Sequence, residues 1–146
     1  MHVANLAKIG TIAMVLASMA IVYALTYPSV RLRSVGNIKA LGVGVYWDSG
    51  CSQPASSIDW GTVEPGAVKN VTVYIRNEGN APITLSLQTS NWNPPNAADY
   101  ISLSWNYKGQ AINVNQVIAV TLTLSISTNI QGITTFSFDI VIVSSG

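Results

Sequence analysis

The sequence predicts an all-β, immunoglobulin-like antiparallel β-sandwich of about seven strands, preceded by one N-terminal hydrophobic helix of transmembrane type. Three observations carry this expectation. Residues 9–30 are 22 consecutive residues without a charge, set between Lys8 and Arg31. From Val35 onward, apolar residues alternate with polar ones at a spacing of two. Clusters of Pro, Gly and Asn then separate the alternating runs.

The apolar run comes first. At the rise of an α-helix it spans about 33 Å, close to the roughly 30 Å hydrocarbon core of a bilayer. The chain therefore divides into a segment 1–34, a signal-anchor or transmembrane helix with a basic flank, and a domain 35–146. Within the helix, Gly10, Ala13, Ala17, Ala20 and Ala24 recur at spacings of three and four. Small residues on one face let helix backbones approach closely in lipid, so protein partners or copies of the chain are expected to meet it through this stripe or through an exposed edge strand; the other reading of the stripe is that Ala is common in such helices. Two processing routes are open beside an uncleaved anchor: a secretory cut after Val22-Tyr23-Ala24, and a pilin-type cut near Lys8-Ile9-Gly10. Lys8 lies before the run, and Arg31, Arg33 and Lys39 lie after it, which counted simply favours the C-terminal side inside. Large domains translocate largely regardless of such flanks, so the domain is expected on the extracytoplasmic side of the membrane.

The strands follow in order. Val71, Val73 and Ile75 alternate with Thr72, Tyr74 and Arg76; Leu85 and Leu87 with Thr84 and Ser86. Val120, Leu122 and Leu124 alternate with Thr121 and Thr123; Phe136, Phe138, Ile140 and Ile142 with Ser137, Asp139 and Val141. A period of two places one face of each strand in a core. The predicted strands are 37–47, 57–60, 68–77, 82–90, 99–106, 111–125 and 133–143, the sixth with a bend or break at Asn113–Gln116. Glu64-Pro65-Gly66 supplies a fixed φ and then a positive one, as a turn requires. Asn77-Glu78-Gly79-Asn80 reads as a hairpin turn, Asn93-Pro94-Pro95-Asn96 as a wider loop, and Asn106-Tyr107-Lys108-Gly109 as a type I turn ending in a left-handed glycine.

Composition narrows the function. Only 9 % of residues are charged, against an ordinary ~25 %, so the surface is one of hydroxyls and amides. The domain 35–146 carries four cations and six acids, and no basic patch is available to neutralise phosphates; nucleic acid is not an expected partner. The sole histidine, His2, precedes the apolar run, which removes Ser-His-Asp and Cys-His catalysis and the usual zinc sites from the domain. Asp48-Ser49-Gly50 matches the active-site tripeptide of aspartic proteases, but that mechanism needs two carboxylates and one chain supplies one. No catalysis and no cofactor are expected. Cys51 is the single cysteine and reads as a packed thiol, since it has no intrachain partner. Asp48, Asp59 and Glu64 lie on loops near one another in sequence and are expected to serve turns and caps; their hard oxygens make them the candidates for calcium as the alternative. Asn70-Val71-Thr72 is an N-glycosylation sequon with Asn70 as acceptor. Of Trp47, Trp60, Trp92 and Trp105, at least two are expected in the core. A sugar-binding aromatic platform is the other use of such residues.

Several words in the domain carry a resemblance. Val45-Tyr46-Trp47-Asp48, Ile58-Asp59-Trp60-Gly61, Glu64-Pro65-Gly66, Val73 through Asn80 and Asn91-Trp92-Asn93-Pro94 together resemble a group of small archaeal surface proteins. These have an N-terminal hydrophobic segment and one immunoglobulin-like sandwich. The Pro-Gly turn, the apolar strand and the Asn-x-Gly-Asn turn are also similar to modules used in adhesion and in camelysin-like biofilm fibres. Ile9-Gly10-Thr11 and the Ala-rich run after it resemble archaeal pilin and archaellin N-termini. These resemblances imply no catalytic residues. The expected function is a membrane-anchored extracytoplasmic structural or adhesive surface module. Two other readings stand beside it: a pilin-like filament subunit with the apolar helix in the filament core, and a glycan- or calcium-binding sandwich.

Overall fold

The computed structural model describes residues 31–146. The expected N-terminal helix and its stripe Gly10, Ala13, Ala17, Ala20 and Ala24 lie outside the described residues. Among the described residues no helix is long and apolar enough to cross a membrane.

The domain is all-β. Eight strands run β1 Leu32–Leu41, β2 Val43–Tyr46, β3 Ser57–Val63, β4 Val68–Asn77, β5 Thr84–Asn93, β6 Ile101–Trp105, β7 Val117–Ile126 and β8 Thr135–Ser145, with a short 3-10 helix at Pro95–Asp99. They form two four-stranded sheets, in the orders β3-β1-β8-β5 and β2-β4-β7-β6. One core joins the inward faces of both. Phe136, Phe138, Ile140 and Ile142 from β8 meet Val73 and Ile75 from β4 and Val120, Leu122 and Leu124 from β7, all buried. The alternation read from the sequence therefore gives the right inward face for each of these strands.

Three expectations need correction. The first strand begins at Leu32, which is fully buried, five residues before the predicted start at 37. Arg31, Arg33 and Val35 face outward around Leu32, Ser34 and Gly36, and the flanking charges conceal that alternation. The predicted first strand 37–47 is two strands in different sheets. Gly42, at φ 81°, is the single residue between β1 and β2, and its left-handed backbone ends the extended run. The Asn77–Asn80 turn likewise joins β4 in one sheet to β5 in the other, so it closes no hairpin.

The sandwich is also not wholly antiparallel. β1 pairs in parallel with β8 from Arg33↔Thr135 to Leu41↔Val143, while its other edge pairs antiparallel with β3. The chain's first described strand thus lies in the interior of its sheet, against its last. Two bulges mark this sheet. Trp60 is the extra residue of β3 between the pairs Ser34↔Gly61 and Val35↔Asp59. On β5, Asn91 and Trp92 oppose a single position of β8, between Ser90↔Asp139 and Asn93↔Ser137. Gly36 makes room for the first of these: a Cβ there would stand 2.8 Å from Ile140 Cδ1 and 3.2 Å from Trp60 Nε1.

Candidate functional site

The acids proposed for calcium are engaged in the backbone. Asp48 lies in the loop after β2, and its carboxylate accepts the N–H groups of Ser52 at 3.0 Å and Gln53 at 2.9 Å as well as the Ser52 hydroxyl. The Ser52 hydroxyl, with the Gln53 and Ser52 amides behind it, holds the Asp48 carboxyl below the ordinary range. Asp59 accepts the Gly61 N–H at 2.8 Å and so shapes the bulge of β3. Glu64 stands in the turn before β4. Among the described residues no group of three His, Cys, Asp or Glu side chains could hold a metal ion. Asp48 and Asp59 thus serve the turns in which they stand.

The other expected residues fall on distinct surfaces. Asn70 and Thr72 are exposed on β4 while Val71 packs toward the core, the orientation a glycan acceptor needs. Asn70 Oδ1 accepts the Thr123 hydroxyl at 2.7 Å, and Thr72 and Thr121 share a hydrogen bond at 3.1 Å, so this face of the sheet is a lattice of hydroxyls and amides. Trp60 is buried, and Trp92 stacks on Phe138 with ring centroids 4.3 Å apart. Trp105 meets Tyr107 edge-on at 5.3 Å. Trp47, 38 % exposed, is open to solvent. Cys51 is a free, half-buried thiol.

Two polar clusters escaped the sequence reading. The first joins β2 to the end of β4: Arg76 Nη2 donates to Tyr46 Oη at 3.0 Å and to Glu78 Oε1 at 3.2 Å, and the Tyr46 hydroxyl donates to the same Glu78 oxygen. The guanidinium also lies over the Tyr46 ring, 5.1 Å from its centroid. The Tyr46 hydroxyl, then Arg76, holds the Glu78 carboxyl low.

The second cluster is the candidate site. Asp139 points from β8 onto the outer face of its sheet and yet is only 6 % exposed. Lys39 reaches it from β1, with Nζ 2.9 Å from Oδ2. Asn91 reaches it from β5, with Nδ2 2.6 Å from the same oxygen. Asn37 is its register partner on β1. The Lys39 ammonium, then the Asn91 amide, keeps the carboxyl below its ordinary range against the opposing pull of burial. The bulge in β5 makes this geometry. It turns Asn91 to φ 52°, a left-handed conformation that Asn tolerates better than most residues. The only local signal in the sequence is an acid centred in the apolar strand Phe136–Val143; its partners stand 48 and 100 positions away.

These carboxyls set the sign of the acid response. A group held low in the folded chain adds stability above its unfolded pKa of about 4, and that stability is lost as pH falls through the folded value. Asp139, Glu78 and Asp48 share this sign. Melting temperature is therefore expected to hold from neutral pH to about pH 5 and to drop below that. Glu78→Gln is expected to melt lower at neutral pH and to fall less steeply in acid. Circular-dichroism melts across the acid range measure both slopes, and equal slopes would show that Glu78 does not contribute.

No protein-family model matches the chain, and no curated protein matches it.

Proposed function

We propose that this chain is a membrane-anchored structural or adhesive surface module, with the sandwich outside the membrane and without catalysis. The observation that carries the reading is the parallel pairing of β1 with β8. Residues 9–30 run directly into β1, so a pull arriving through an anchored N-terminal segment enters β1. In a parallel pair, the start of β1 and the end of β8 lie at opposite ends. A pull between them shears every pair from Arg33↔Thr135 to Leu41↔Val143 at once rather than opening them one by one. Resistance to such a pull is a property of the unfolding barrier, which suits a module held between an anchor and an outside contact. The low charge and the hydroxyl-amide face around Asn70, Thr72, Thr121 and Thr123 fit an extracytoplasmic surface.

The finer immunoglobulin-like reading also has support in the strand order. An immunoglobulin domain orders its strands A-B-E-D in one sheet and C-F-G in the other. Here β2-β4-β7-β6 corresponds to the first order, and β5 and β8 to C and F. The place of G, beside F, is held by β1 running in the opposite direction to G. The N-terminal strand thus completes the sheet.

Membrane fractionation combined with a membrane-impermeant amine reagent on intact cells tests the main reading. The expected result is a membrane-bound chain labelled at its exposed lysines before lysis; labelling only after lysis would overturn it. The stripe from Gly10 to Ala24 favours a second reading, a pilin-like filament subunit. N-terminal sequencing of the native protein separates the two. A start at Met1 supports the anchor, and a start near Gly10 or Thr11 supports the filament.

A further inference from the structure

We propose that Lys39 and Asn91 join through a self-formed side-chain amide bond, with Asp139 as the proton carrier between them. All three groups lie on the outer face of β1, β8 and β5, and the bond does not depend on the surface-module reading.

The three groups stand in the order this chemistry requires. Asp139 Oδ2 accepts from both Lys39 Nζ and Asn91 Nδ2, so the two nitrogens lie within 5.5 Å of each other, the sum of the two contacts. One nitrogen is the nucleophile and the other is the leaving group. A single carboxylate touches both, the position of a general base that becomes a general acid. The Asn91 carboxamide is presented by a left-handed residue in a two-residue bulge, local strain of the kind that accompanies functional groups. Among the described residues Asp139 is the only charged one that is buried, and a buried charge is costly unless it is well partnered. Lys39 is 59 % exposed, so departing ammonia has a direct route to solvent.

The step balances. Lys39, open to solvent, gives one proton to water, and the neutral amine attacks Cγ of Asn91. As the tetrahedral intermediate collapses, the Nζ–Cγ bond remains and the Cγ–Nδ2 bond breaks. Nδ2 leaves with its own two hydrogens and a proton that Asp139 carries from the attached nitrogen, and the ammonia takes the fourth proton from solvent. A primary ammonium and a carboxamide thus become a secondary amide and ammonium, with no oxidant, metal or cofactor. The product ties β1 to β5 across β8 and closes the chain between positions 39 and 91, which restricts the unfolded ensemble.

Intact mass of the full chain, purified in detergent and referenced to its own observed N-terminus, decides the matter. The wild-type chain is expected to be about 17 Da lighter than its sequence, one ammonia. Peptide mapping is expected to find the Lys39 peptide joined to the Asn91 peptide. Lys39→Arg keeps the cation but has no primary amine, and is expected to restore the full mass; Asn91→Ala is expected to do the same. A folded wild-type chain that keeps its full mass after prolonged incubation would overturn the proposal. So would a loss that persists in Lys39→Arg. Should a variant fail to fold, the wild-type peptide map decides alone: a joined Lys39–Asn91 peptide supports the bond, and two separate peptides overturn it.

Discussion

Phe138→Ala is expected to cost the domain about 4 kcal/mol, the scale of emptying a large aromatic site in a packed core. Phe138 is the largest of the fully buried side chains, at 1 % exposure. It stacks nearly parallel on Trp92, with 4.3 Å between ring centroids and 10° between planes, and lies 6.2 Å from Phe136. Alanine removes the ring that supports Trp92 from one side, and Trp92 sits in the bulge of β5, where Asn91 and Trp92 oppose the Phe138 position itself. The loss should therefore spread to the Asp139 cluster next door. Urea denaturation of the domain in wild type and variant measures the cost. Phe138→Leu, which keeps most of the volume, is expected to cost about half as much or less. Equal costs for the two variants would mean that the aromatic stack, and not apolar bulk, carries the loss; a Phe138→Leu variant as stable as wild type would mean that the stack contributes nothing beyond apolar bulk.

Much of this core was legible in the sequence because it rests on a local rule. Phe136, Phe138, Ile140 and Ile142 face inward for the same reason that Ser137 and Asp139 face outward: successive side chains of a strand leave opposite faces. What was not legible depends on pairing between distant segments. Nothing in Leu32–Leu41 announces that its partner is Thr135–Ser145, or that the two run parallel; that follows from closing the sheet with the chain's two described ends. The break at Gly42 was hidden because the exposed Leu41 masks a change of phase: Ile38 and Ala40 face inward at even positions, Val43 and Val45 at odd ones, and Leu41, Val43 and Val45 read as one alternation. The candidate site failed to appear for the same reason. Lys39, Asn91 and Asp139 are ordinary one at a time, and only the order β1-β8-β5 puts an acid between a lysine and an asparagine. Asp48 shows the converse: a turn role read from the local Asp-Ser-Gly word needs only near neighbours, and the amides of Ser52 and Gln53 supply it.

Asn77→Ala is expected to cost about 3 kcal/mol, since it removes three side-chain hydrogen bonds at about 1 kcal/mol each. Asn77 is completely buried at the end of β4. Its Nδ2 donates to the Ala81 carbonyl at 2.8 Å and to the Ile112 carbonyl at 3.0 Å, and its Oδ1 accepts the Gly79 N–H at 2.9 Å. Its own backbone is also engaged, with the N–H on the Gln116 carbonyl and the carbonyl taking the Asn115 N–H. One side chain therefore ties together the crossing from β4 to β5 and the segment that leads into β7. The Asn-Glu-Gly-Asn motif looked like a hairpin because hairpins use the same residues; here the asparagine turns inward and organises a passage between sheets. Asn77→Asp separates the two halves of this role. The aspartate keeps an acceptor for Gly79 but has no amide donor for the two carbonyls, and it adds a charge where no cation waits among its bonded neighbours. It is expected to be at least as damaging as alanine near neutral pH and to recover partly in acid, as the carboxyl takes up the proton it needs to donate. Denaturation of both variants near neutrality and in mild acid checks this, and an Asn77→Asp variant as stable as wild type near neutrality would show that the amide donor does not hold this crossing.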